Sequence, residues 1–147
     1  MATSTITLEQ VMNQQIANWN VLYTKLHRFH WYVKGPHFFT LHEKFEELYD
    51  EAAAVIDELA ERLLIIGGQP VSTLKEYIEL ASLEETSEAL TAEEMVQAVV
   101  NDFSQIINEL KAGKEAAEND EVTSDMFTEL IEKLSKHNWM LSSFLQA

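Results

Sequence analysis

Between Phe38 and Ile66 the apolar residues return every three or four positions: Phe38, Leu41, Phe45, Leu48, Ala52, Val55, Leu59, Leu63 and Ile66. Only a helix lays such a series along one side of a rod, and a single apolar stripe on a long rod must be covered by other helices. Three further stretches repeat the pattern. Leu8, Val11, Met12, Ile16, Trp19, Leu22, Leu26, Phe29 and Val33 follow Thr7-x-x-Gln10, a spacing that lets two side chains cap a helix start reciprocally. Met95, Val96, Val99, Val100, Phe103, Ile106, Ile107 and Leu110 follow Thr91-x-x-Glu94, and this helix is expected to run out at Glu115-Ala-Ala-Glu-Asn119. Met126, Phe127, Leu130, Ile131, Leu134, Leu141, Phe144 and Leu145 carry the last, with Thr123 or Ser124 expected as its N-cap. No stretch alternates with the period of a strand.

Glycine and proline are scarce and fall at corners. Gly35-Pro36 separates the first two helices, and Gly67-Gly68 with Pro70 beyond ends the second. The segment from Val71 to Leu90 is too long for a turn between antiparallel neighbours. Leu74, Tyr77, Ile78 and Ala81 predict a short helix within it, followed by a loop over Leu83–Ser87. The expected fold is therefore all-α: a four-helix bundle in one domain over 1–147, with a short extra helix in a long crossover between the second and third helices.

Charge narrows the function. The chain carries 25 acids against 10 bases, a net charge of −15. That repels a phosphate backbone and gathers cations. There is no cysteine, so no disulfide and no thiolate site. The N-terminus MATSTITLEQ lacks a basic stretch followed by an apolar one, and no apolar run is long enough to span a membrane, which makes a cytoplasmic protein without a membrane partner the expectation.

Beside the core stripe of the second helix runs another: His42, Glu46, Tyr49, Ala53, Asp57, Glu61 or Ala60, and Leu64. Taken singly, an acidic pair at this spacing is ordinary solvated surface. Together these residues alternate metal-ligand types with small and apolar ones, as on a face that packs against something outside its own bundle. His42 and Glu46 lie four apart, and Asp57 and Glu61 repeat the arrangement. Glu46 and Asp57 share an azimuth but are roughly 16 Å apart along the axis, whereas metal–ligand bonds are about 2–2.6 Å. One straight helix cannot close both pairs on one ion. Either there are two separate weak sites, or each pair is half of a site that a second, antiparallel copy completes twice over. His30, at the end of the first helix, can fold back beside His42 through the Gly35-Pro36 corner. His27 precedes it by three positions and is a candidate supporting residue, although core packing also accounts for it; Trp31 could shield a metal site from solvent or simply pack at an interface.

Ordinary ferritin bundles use Glu-x-x-His motifs, and none occurs here. His30-Trp31, Gly35, Phe39, Leu41-His42, Phe45, Tyr49, Asp57, Ala60-Glu61-Arg62, Gly67, Pro70 and the Lys136-His137-x-Trp139-Met140 segment instead resemble the Dps family of mini-ferritins over nearly the whole chain. That resemblance implies a ferritin-like bundle and a dodecameric shell built from two-fold dimers. It implies ferroxidase centres between subunits, with His30, His42 and Glu46 from one and Asp57 and Glu61 from the other. Position 46 is commonly Asp in the family; Glu keeps the charge and donor oxygens on a longer arm. The implied activity is oxidation of Fe(II) by hydrogen peroxide or dioxygen and storage of the Fe(III) mineral, protecting against oxidative damage, at a mono-iron or di-iron centre that Zn could also occupy. It also implies carboxylate-lined three-fold pores, for which Asp120, Glu121 and Asp125 are the candidates, extended by Glu129. DNA binding is not expected, since no Lys or Arg precedes Lys25. A DNA-compacting protein and a non-catalytic structural or interaction shell are the alternatives. His137 lies nearly opposite its helix's stripe and is read as a surface or interface residue.

Overall fold

The computed structural model describes residues 6–146, and among them every regular element is helical. The order is α1 (Leu8–Tyr32), α2 (Phe38–Ile65), α3 (Leu74–Leu80), α4 (Ala92–Gly113), a 3-10 turn (Lys114–Ala117) and α5 (Glu121–Leu145). Both expected capping boxes form. Gln10 N is bonded to the Thr7 hydroxyl at 3.1 Å and Glu94 N to that of Thr91 at 3.1 Å. A third box, on Thr73 and Glu76, starts α3. The core stripes are buried as spaced: Met12, Ile16, Leu22, Leu26 and Phe29 from α1 meet Leu41, Phe45, Leu48, Leu59 and Leu63 from α2, with Val96, Val99, Phe103, Ile106 and Phe127 opposite.

The path of the chain follows from which residues meet. His30 beside His42 and Asn13 beside Gln69 make α1 and α2 antiparallel. Lys25 beside Asp102 and Asn18 beside Glu109 make α1 and α4 antiparallel. Hence α2 and α4 run the same way, and the chain must travel the length of the bundle between them. It climbs α1 to do so. Asn13 holds Gln69 O and Val71 N, Asn18 holds Ser82 N and Leu83 N, and Arg28 holds Ser87 O. On this strap α3 buries none of its own residues, leaving Leu74 81% and Ile78 53% exposed.

Two glycines decide local geometry. Gly35 has φ 105°, a left-handed conformation that turns α1 back into α2 and suits a residue without Cβ. Gly113, the last residue of α4, lets that helix end approach α1 closely, since a Cβ there would lie 2.7 Å from Cγ1 of Val11.

The start of α5 differs from the sequence expectation. Its N-cap is Asp120, not Thr123 or Ser124, so the acidic stretch after Glu121 is helical rather than a turn. The Asp120 carboxylate accepts from Thr123 N at 3.1 Å and from Arg62 of α2 at 3.0 Å. A carboxylate at a helix start is favoured by the helix dipole, and the guanidinium from a neighbouring helix fixes it there. His137 is also not a surface residue. Its side chain is 13% exposed, and its Nε2 bonds Glu51 of α2 at 2.8 Å. Three residues after Leu134 and four before Leu141, it lies on the buried stripe of α5 itself rather than opposite to it.

Candidate metal centre

The Gly35 corner brings the last turn of α1 against the first turns of α2, and there two imidazoles meet. His30 Nδ1 lies 2.6 Å from the carbonyl oxygen of His42, and His42 Nδ1 lies 2.7 Å from that of His30. A carbonyl only accepts, so each Nδ1 carries the hydrogen and donates it. Each neutral ring then keeps its free lone pair on Nε2, the form in which imidazole binds a metal. The rings stack at 3.7 Å between centroids with 12° between planes. Glu46, one turn beyond His42, places Oε1 3.7 Å from His30 Nε2 and leaves its side chain 53% exposed.

The structure thus brings His30, His42 and Glu46 together on one chain. Asp57 and Glu61 are not brought to them. Both are exposed further along α2, with Ala53 and Leu64 of the same stripe. Among the described residues of the one chain, no three His, Cys, Asp or Glu side chains form a group able to hold a metal ion. The second stripe is half-buried at His42 and Tyr49, where α1 lies against it, and at Ala60, and is otherwise open to solvent; among the described residues no helix covers that open part. The donors are imidazole nitrogen and carboxylate oxygen without thiolate, a set that suits Fe(II) or Zn(II).

Around this pair the supporting residues divide. His27 bonds none of the three; its Nδ1 donates to Tyr23 O at 2.9 Å, and its ring stacks on Tyr49 at 3.8 Å. Trp31 is 67% exposed and touches His27, not the imidazole pair, at 5.4 Å. Tyr49 is the residue that spacing placed in the stripe without giving it a role. Its ring meets His30 edge-on at 5.4 Å and 86°. Burial, then the charges of the Glu46 and Asp50 carboxylates and of the Tyr23 phenol, hold its phenol above its usual pKa of 10.0. Phe38 stacks on the far side of His42 at 4.8 Å.

Of the acidic residues at the start of α5, Asp120 is engaged in its cap and with Arg62. The hydrogen bonds from Thr123, more than the Arg62 charge, keep its carboxyl below the ordinary value of 3.8. Glu121, Asp125 and Glu129 recur every fourth residue and are exposed.

Known proteins are similar to this chain over nearly its whole length. The family model for the ferritin-like domain matches residues 9–147. The DNA protection during starvation protein 2 of Bacillus anthracis is 57% identical over 138 residues, 92% of this chain and 94% of that protein. The crystal structure of Dps from Staphylococcus aureus superposes with a TM-score of 0.94 at 49% identity, covering 99% of each chain. This chain belongs to the Dps family of ferritin-like proteins. General stress protein 20U of Bacillus subtilis is a further relative, 54% identical over 140 residues, 94% of this chain and 97% of that protein. The helices of this Dps chain, with a long climb between α2 and α4, are the ferritin-like arrangement, and no helix among its described residues is long and apolar enough to cross a membrane.

Proposed function

We propose that this Dps protein is a cytoplasmic mini-ferritin that oxidises Fe(II), preferentially with hydrogen peroxide, and stores the Fe(III) product as mineral inside a dodecameric shell. The observation that carries the reading is the reciprocal bonding of His30 and His42. It leaves two Nε2 lone pairs free beside Glu46, at the end of a stripe whose open part no helix covers among the described residues. Asp57 and Glu61 are stranded on the same rod, so their partners lie on another molecule. A two-fold neighbour running antiparallel would bring the partner subunit's Asp57 and the partner subunit's Glu61 to His30, His42 and Glu46, and the reverse at a second site.

Iron is substrate here. Two Fe(II) ions each give one electron to one peroxide, which takes up two protons and leaves as two waters. Delivering both electrons together avoids the hydroxyl radical that a single transfer would release. The net charge of −15, with Glu121, Asp125 and Glu129 as pore lining, would draw Fe(II) toward the shell. The same charge opposes contact with a phosphate backbone. Protection under starvation or stress, the role in the relatives' names, then comes from removing Fe(II) and peroxide rather than from coating DNA.

Stopped-flow oxidation of Fe(II) with peroxide tests this. His30→Ala and Asp57→Ala should each slow it by about tenfold or more while sedimentation shows the assembly unchanged. Rates equal to the parent protein would exclude the site.

A further inference from the structure

The two imidazoles sit inside a longer column of rings drawn from both α1 and α2. Phe38 lies flat on His42 at 4.8 Å and 19°, and His42 lies flat on His30 at 3.7 Å and 12°. Tyr49 then stands across the His30 ring at 86°, and His27 lies flat on Tyr49 at 3.8 Å and 17°. Tyr23 closes the column, edge-on to His27 at 4.5 Å and to Tyr49 at 6.1 Å. His27 is tied to α1 by its Nδ1, bonded to the Tyr23 carbonyl at 2.9 Å, and held on its two sides by Tyr49 and Tyr23.

A stacked pair is held well against separation and poorly against sliding. Each imidazole has one hydrogen bond, and the second torsion of histidine is broad and roughly two-fold. Rotation about it would turn Nε2 away from any ion. The pair therefore needs walls at both ends. Phe38 is one, on the His42 side. On the His30 side the wall is Tyr49, and Tyr49 is itself backed by His27.

We propose that Tyr49, braced by His27, is a positioning residue that fixes the direction of the His30 Nε2 lone pair for metal binding. It acts through its ring rather than its hydroxyl, and it donates nothing to the ion. The inference rests on the reading of His30 as a ligand. It adds a role for Tyr49 and His27, neither of which is bonded to any ligand side chain.

Cobalt(II) alone is the probe, added to the assembled protein without oxidant and followed by calorimetry and by its d–d absorption, which reports coordination geometry. Tyr49→Leu keeps apolar volume and removes the wall; it should weaken cobalt binding by about tenfold or more, and change the d–d band. Tyr49→Phe keeps the ring and should match the parent protein in both. His27→Ala should weaken binding in the same sense, and His27→Phe, which restores a flat ring against Tyr49, should recover it. If Tyr49→Leu does not assemble, the two His27 variants carry the comparison. Parent-like affinity and spectrum in Tyr49→Leu or, should that variant not assemble, in His27→Ala would overturn the proposal, as would an equal loss in Tyr49→Phe. His30→Ala separates the two levels: full cobalt binding there would remove His30 as a ligand, a failure of the parent reading whatever Tyr49 does.

Discussion

Glu51 on α2 accepts the Nε2–H of His137 from α5 at 2.8 Å, in a partly buried place. The bond from His137 outweighs that burial and, with the charges of His137, Lys133 and Lys44, holds the carboxyl below its ordinary 4.5. A depressed acid stabilises the fold above its unfolded pKa, and the contribution is lost as pH falls through the folded value. The pair should therefore strengthen the contact of α2 with α5 at neutral pH and release it in acid below 4.5. Glu51→Gln should lower stability at pH 7 by roughly 1–2 kcal/mol, since hydrogen bonds to charged groups are worth slightly more than neutral ones. In thermal unfolding at fixed protein concentration the two proteins should converge in acid. A gap that stays constant with pH would show that packing, not charge, distinguishes them.

At the scale of elements, the crossover is held by buried polar contacts as well as by Leu83 in the core. Asn18 is fully buried, and its Oδ1 accepts from Ser82 N at 2.7 Å and Leu83 N at 3.2 Å. Its Nδ2 donates to Glu109 at 2.8 Å, a carboxylate that also receives Gln15 and Ser82. One amide thus ties α1, α4 and the strap together. Asn18→Ala would leave two backbone N–H groups and part of a carboxylate without partners, and the two N–H groups alone would cost roughly 2–6 kcal/mol at about 1–3 kcal/mol each. Hydrogen exchange should show the loss first at the Ser82 and Leu83 amides and with them the strap that carries α3. Uniform loss of protection across α1 and α4 would place Asn18 in the core proper instead.

For the whole molecule the question is which subunit supplies which ligand, and mixing two inactive variants answers it. In a two-fold dimer of one His30→Ala chain and one Asp57→Ala chain, one site carries both lesions and the other carries neither. Random pairing makes half the dimers mixed, so about a quarter of the sites should return when the variants are unfolded and refolded together. Ligands drawn from one chain alone would give no recovery, and peroxide-driven iron oxidation distinguishes the two cases.

Periodicity determined the elements: four apolar stripes, two of the three capping boxes and a long link between the second and third long helices are plain in the order of residues, because the helix repeat maps directly onto sequence spacing. The same repeat showed that His42 and Glu46 share a face and that Asp57 and Glu61 lie out of their reach, since rise per residue is fixed. It did not place the start of α5, where Asp120 caps through Thr123 N and is held in place by Arg62, 58 residues away. Nor could it show that His137 faces Glu51, or that Tyr49 stands between His27 and His30. Those relations depend on how one helix is rotated against another, which the packed side chains of the whole bundle decide together.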